Sequence, residues 1–162
     1  MSHALLQPAA SSRIEAETPA DAGGVEALVM AAFGPGRFAK TAERLREGAT
    51  PAAGFVVREG GEIIGSVRLW TICVGDAPAL FLGPIAVSKD ARSAGLGAEL
   101  VAACLDHARG IEAAGVLLVG DRAYFERFGF RPAPEAALPG PVDRRRVFWL
   151  GEGEPSGPVR AA

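Results

Sequence analysis

The chain has 162 residues, 49% of them hydrophobic and 22% charged, which fits one globular unit and excludes collagen-like, low-complexity and extensively disordered architectures. Its 17 basic and 19 acidic residues leave a formal charge of −2, so no overall field draws the protein to nucleic acid or an anionic membrane, and neither is expected as a partner. Cys73 and Cys104 are too few for a disulfide framework, and no segment approaches the roughly 18 uninterrupted apolar residues of a membrane span, so a cytoplasmic location is expected.

Residues 1–12 lack a basic start and a sustained apolar run and read as a flexible tail. Arg13 to Glu17 fits a short edge strand, broken at Thr18-Pro19 where proline removes an amide. Val25, Leu28, Val29, Ala32 and Phe33 recur at helical spacing after a cap at Asp21, until Gly34-Pro35-Gly36 stops the helix. A second, more charged helix is expected over Arg37 to Glu47. Gly54 to Glu59 and Glu62 to Val74 then form a hairpin around Gly60-Gly61, because a glycine pair accepts the positive φ of a tight turn.

A third strand, Ala79 to Val87, is interrupted at Gly83-Pro84, where ladder pairing should fail. The longest helix runs from about Ala94 to Arg109, with Leu96, Leu100, Val101, Cys104 and Ala108 on one stripe and Gly110 as its C-cap. Val116 to Val119 reads as a strand buried on both faces, completing a strand, helix, strand crossover. A short helix from Arg122 to Phe128, capped by Asp121 and ended by Gly129, follows. Arg131 to Arg146 is mostly loop, Val147 to Leu150 is a last strand, and residues 151–162 read as a second flexible tail. The 13–150 unit is thus an α/β arrangement of helices around a mixed sheet.

Chemistry concentrates where the third strand meets the long helix, over Ile85, Ala86, Val87 and on through Arg92, Ser93, Ala94, Gly95, Leu96, Gly97 and Ala98. The first amides of a helix have no partner within it and carry the positive end of its dipole, and glycines let a phosphate approach the backbone. Arg92 can add a charge-assisted bond to the same phosphate. The pattern matches neither a Walker loop nor a full dinucleotide fingerprint, and its plain alternative is close helix-to-strand packing.

Arg92-Ser93-Ala94-Gly95-Leu96-Gly97 resembles the Arg/Gln-x-x-Gly-x-Gly/Ala acyl-CoA loop of the GNAT superfamily of N-acetyltransferases. The resemblance extends through Leu82 to Val87 before it and Tyr124 to Phe130 after it. It implies a mostly antiparallel sheet flanked by helices, with two central strands splayed so that pantetheine lies between them. It also implies direct transfer from acetyl-CoA to an amine of a small molecule or peptide, with Ile85 to Val87 pairing to pantetheine and residues 92–98 holding the pyrophosphate. Acceptor specificity would lie in the Phe33 to Gly48 region, the hairpin and the Pro132 to Arg146 loop.

The family's acidic tyrosine stands four residues before the glycine of its Gly-Phe pair, a position occupied here by Phe125, which is expected beside the cofactor; Tyr124 comes one place early. One helical step rotates a side chain by about 100°, so the two rings cannot point the same way without local distortion. Tyr124 is the candidate general acid, against the alternative of a partly buried tyrosine bonded to backbone. No general base is assigned, and His107 reads as a packed histidine. No His, Cys and Asp cluster suggests a metal. Two rival readings remain open: a non-catalytic acyl-CoA-binding module of the same fold, and a domain binding some other phosphate ligand. Either a monomer or a homodimer is compatible with the sequence.

Overall fold

The computed structural model describes residues 13–162, without the side chains of Phe38, Ala39, Arg92, Ser93 and Ala94. Gly60 and Gly61 take φ values of 59° and 82°, and this two-residue turn joins β2 (Thr50–Glu59) to β3 (Glu62–Val74) as the glycine pair requires. The short β1 (Glu15–Ala16) pairs with β2 at the sheet edge. β4 (Ala77–Val87) returns antiparallel along β3. The chain then crosses over through α3 (Leu96–Gly110) to β5 (Gly115–Val119), which pairs parallel with β4. β6 (Arg131–Pro132) and β8 (Val147–Gly151) complete the order β1-β2-β3-β4-β5-β8-β6, mostly antiparallel as expected.

Side-chain alternation divides the sheet between two cores. Val67, Leu69, Leu80, Leu82, Val116 and Leu118 face α3, which presents the expected stripe of Leu96, Leu100, Val101, Cys104 and Ala108. Ile72, Phe81, Leu117 and Trp149 face the other way, toward Leu45 of α2 (Thr41–Glu47). Val25 and Val29 of α1 (Ala22–Phe33) close the same side over Val56 and Ala86. Of the expected α1 stripe, Phe33 is half exposed, because the helix packs through Val25 and Val29.

Four expectations are revised. Residues 151–162 are not a tail throughout: Gly157–Ala161 forms β9, which pairs with β3 through Val74↔Val159 and with β7 (Ala136–Ala137). β9 takes the β3 edge beyond the start of β2, covering amides that β2 is too short to reach. Gly110 is not the left-handed cap of α3; Glu112 is, at φ 55°, with Ala113 N–H donating to Ala108 O at 3.0 Å and Glu112 N–H to Arg109 O at 3.1 Å in a Schellman closure. Asp21 makes no side-chain cap on α1; it accepts from Thr18 N–H at 2.8 Å at the head of the preceding turn. The second helix is split, since Pro35–Ala39 is a separate 3-10 turn before α2. Residues 1–12, expected to be flexible, lie outside the described residues.

Candidate active site

The β4/β5 ladder contains Leu80↔Val116 and Phe81↔Leu117 and ends there, while both strands continue. On the other edge, the β3 register passes from Leu69↔Leu82 directly to Val67↔Ile85, so Gly83 and Pro84 bulge out opposite Arg68. This is the local failure of pairing expected at Pro84, whose nitrogen carries no proton to donate. Trp70 Nε1 donates to the Gly83 carbonyl at 2.5 Å and fixes the bulge. Between the diverging strands lies a cavity of about 480 Å³, walled by residues 82–85 on one side and by residues 118–121 with Phe125 on the other.

Of the donor-side candidates, Ile85 and Phe125 line this opening. Ile85 lines the cavity, Ala86 turns into the core beneath α1, and Val87 packs toward α3. Residues Lys89–Ala94 form a 3-10 turn, and Gly95 follows at φ 78° as the N-cap of α3. That left-handed conformation is open to glycine and strained for a branched residue, which explains the glycine at this junction. Leu96 is buried as the anchor of α3, while Gly97 and Ala98 are half-buried in its first turn. The side chains of Arg92, Ser93 and Ala94, expected at a pyrophosphate, lie outside the described residues.

Asp121 accepts from Tyr124 N–H at 2.9 Å, capping α4 (Arg122–Glu126) as expected, and Gly129 at φ 94° turns the chain away. The helix is thus shorter than the Arg122 to Phe128 expected. The two aromatic rings part as the helical rotation requires. Phe125 faces the cavity and covers Gly120, where a Cβ would lie 2.5 Å from the ring. Tyr124 turns to α3: a Cβ on Gly97 would lie 2.8 Å from its hydroxyl. The Arg127 guanidinium stands 4.5 Å from the Tyr124 ring centroid. Burial pushes the Tyr124 phenol above its ordinary pKa, with the Arg127 charge opposing. The candidate acid therefore lies beside the helix N-terminus, and Phe125 occupies the cavity wall.

The far wall comes from α2 and the loop before β8. Thr41 Oγ1 donates to Pro141 O, clasping the two together. Arg37, Lys40, Arg46 and Arg146 line the cavity there. Arg146 belongs to the basic run Arg144 to Arg146, which the sequence offers either as a solvated loop or as a contact for an acidic substrate or a CoA phosphate; Arg37, Lys40 and Arg46 carry no individual signal in the sequence, because a cation in a charged segment normally faces water. The hairpin, expected at the acceptor side, does not line this cavity; Val57, Arg58, Glu59, Glu62 and Ile64 border a second one of about 380 Å³. His107 packs half-buried with its ring edge-on to Phe55.

A splayed β4/β5 pair with a glycine-led helix beside it defines an acyltransferase of the acetyltransferase (GNAT) family, whose family model matches residues 25–130; the chain belongs to that family. It is 34% identical over 141 residues to the uncharacterized N-acetyltransferase YhbS of Escherichia coli K12, covering 85% of this chain and 80% of the relative. The crystal structure of Escherichia coli YhbS in complex with CoA superposes with a TM-score of 0.78 at 28% identity, over 92% of this chain and 88% of that one. A GNAT family acetyltransferase from Brucella melitensis in complex with acetyl-CoA gives a TM-score of 0.70 at 26% identity, over 92% and 94%.

Proposed function

We propose that the protein transfers an acetyl group from acetyl-CoA directly to the amine of an acceptor, in the cytoplasm. The observation that carries this reading is the edge of β4 from Leu82 to Ala86, which runs past the end of the β5 ladder into a cavity. Backbone amides and carbonyls on such an edge retain their capacity for strand-like hydrogen bonds, the kind an extended amide-bearing chain would take. Ile85 to Val87 would hold that chain, and residues 92–98, with the dipole of α3 behind them, would hold a pyrophosphate.

Preorganised backbone N–H groups beside the reacting carbonyl stabilise the negative charge that develops there. Phe125, at the position of the family's acid, has no proton to give; an ordinary thiol pKa of about 8.5 makes the leaving group tolerable without one. Both carboxylates lining the cavity are engaged, Asp121 by the Tyr124 amide and Asp143 by Arg145 at 3.0 Å, so no side chain is assigned as base and the acceptor reacts in its neutral form. Tyr124, with its hydroxyl on Gly97, serves to shape the donor site. Calorimetric titration with acetyl-CoA, with ATP and NAD as competitors, followed by an assay of amine-dependent CoA release, tests the reading. Binding that neither nucleotide mimics, together with release that depends on added amine, supports it. Binding without release from any amine leaves a non-catalytic acyl-CoA module, and no binding overturns the donor assignment.

A further inference from the structure

At the acceptor wall two guanidinium groups draw on one enclosed carboxylate. Glu43 is 12% exposed and is shared by two guanidinium groups, Arg37 Nη1 at 3.2 Å and Arg46 Nη2 at 3.1 Å. Arg37 also pairs with Glu26, which is half exposed, so solvent screens much of that contact. Arg46 is the more enclosed problem: its side chain is 11% exposed, and its Nε is buried without a hydrogen-bond partner. Its Nη1 lies 3.3 Å from where a Cβ on Gly83 would stand, beside the strand bulge that borders the reaction cavity, and the guanidinium sits 5.9 Å from the Phe81 ring centroid. Burial pulls the Arg46 pKa down, with Glu43 opposing. A buried cation with spare donors is costly unless something anionic meets it. Lys40 and Arg146 add positive charge along the cavity, Asp121 and Asp143 add negative charge that the Tyr124 amide and Arg145 already engage, and Phe81, Leu82, Pro84, Leu118, Phe125 and Val142 supply its apolar lining.

We propose that the acceptor is an amine carrying a carboxylate on an apolar body, with the carboxylate received by Arg46. A guanidinium presents donors in a planar fork that suits a carboxylate, and fixing that end leaves the amine to be directed at the strand opening. This rests on the acetyltransfer reading above. The test compares pairs differing only in the carboxylate: L-phenylalanine against phenethylamine, and L-leucine against isoamylamine. The wild-type protein is expected to give a higher kcat/KM for the carboxylated member of each pair. Arg46→Gln is expected to lower that preference roughly ten- to a hundredfold, the range for a lost hydrogen bond to a charged group, with Arg46→Lys falling between.

Acetylation of the neutral amines without preference for their carboxylated partners, or a preference that survives Arg46→Gln, overturns this inference and leaves acetyltransfer standing. Should neither member of any pair be acetylated although acetyl-CoA binds, none of these four amines is the acceptor, and acetyltransfer itself is decided by the wider amine-dependent release assay. The carboxylate site is then read without turnover, by calorimetric titration of N-acetyl-L-phenylalanine against N-phenethylacetamide. Tighter binding of the anion supports the site, and equal binding of the two removes it.

Discussion

β4 contains two stretches that look alike in composition and behave differently. At Leu80 and Phe81 the strand is hydrogen-bonded on both edges, to β3 and to β5, and its side chains fill the two cores. From Leu82 to Ala86 it keeps β3 but not the β5 ladder, and residues 82–85 border the cavity. Both stretches are apolar, so hydrophobicity does not distinguish the closed part of the sheet from the open one. Backbone chemistry does: the Gly83-Pro84 bulge re-aims β4, and β5 ends where Gly120 and Asp121 lead into α4. A substitution in the closed stretch should therefore be read chiefly in stability, even at Phe81, whose ring also meets the cavity, and one in the open stretch or its adjoining helix N-terminus in ligand binding.

The largest effect is expected at Phe81, which is fully buried between Ile72, Leu117 and Trp149. Phe81→Ala should cost about 3–5 kcal/mol of unfolding free energy, through lost burial and the cavity left behind. Chemical denaturation with an unchanged m-value measures it. A loss below about 1 kcal/mol would mean that the paired stretch is no better packed than the open one, given usual core costs. At Gly95 the expected balance reverses. Gly95→Val places a branched residue at φ 78°, a strain of about 1–2 kcal/mol for a non-glycine residue. Its main effect should be on acetyl-CoA affinity, weakened roughly tenfold or more as charge-assisted bonds at the helix start are lost. Calorimetry on folded protein separates the two, and unchanged affinity would remove the pyrophosphate site from this turn.

That functional distinction was only partly legible in the sequence. The glycine-pair hairpin, the interrupted third strand, the α3 stripe and the Asp121 cap all follow from local rules about φ, missing amides and periodicity, and they stand in the structure. β9 did not show itself, because Gly157–Ala161 is short, carries Pro158 and becomes a strand only where the β3 edge extends past β2. Arg46 escaped for a related reason: nothing in a short charged helix says which arginine the loop at Pro141 will enclose. Phe125 and Tyr124 were distinguishable by helical rotation alone, but which of them faces the cavity depends on how α4 docks, a tertiary fact.

A smaller effect is expected where Tyr124 touches α3. Gly97→Ala gains roughly 1 kcal/mol in helix propensity but drives a methyl against the Tyr124 hydroxyl, 2.8 Å away. The ring cannot yield freely, since Phe125 and Phe128 meet it edge-on and Arg127 stacks on it. Tyr124→Phe deletes the obstructing atom, so Gly97→Ala should be better tolerated when the two substitutions are combined, with a coupling of about 0.5–3 kcal/mol. Additive effects would detach Tyr124 from the donor site. Because burial raises the phenol's pKa, Tyr124→Phe should also leave the pH profile of turnover unchanged below about pH 10.

The smallest effect concerns what supports the open stretch from behind. Ala86 packs under α1, and the turn that starts α1 is held by Asp21, which accepts from the Thr18 amide at 2.8 Å and from Arg58 Nε at 3.3 Å. The Thr18 hydrogen bond first, and then the Arg58 contact, hold the Asp21 carboxyl below its ordinary pKa of 3.8. Between the folded and unfolded values the unfolded chain binds more protons, so stability rises with pH across that window. The contribution is complete above about pH 4 and is lost as pH falls through the depressed folded value. Acid should therefore loosen α1 before it loosens the β3/β4/β5 centre. Hydrogen exchange read separately for α1 and for Leu80 and Phe81 should show that order, and Asp21→Asn should flatten the acid dependence of α1. Simultaneous loss in both regions would mean that α1 and the closed sheet melt as one unit, and that the difference between the two stretches of β4 is one of binding and not of local stability.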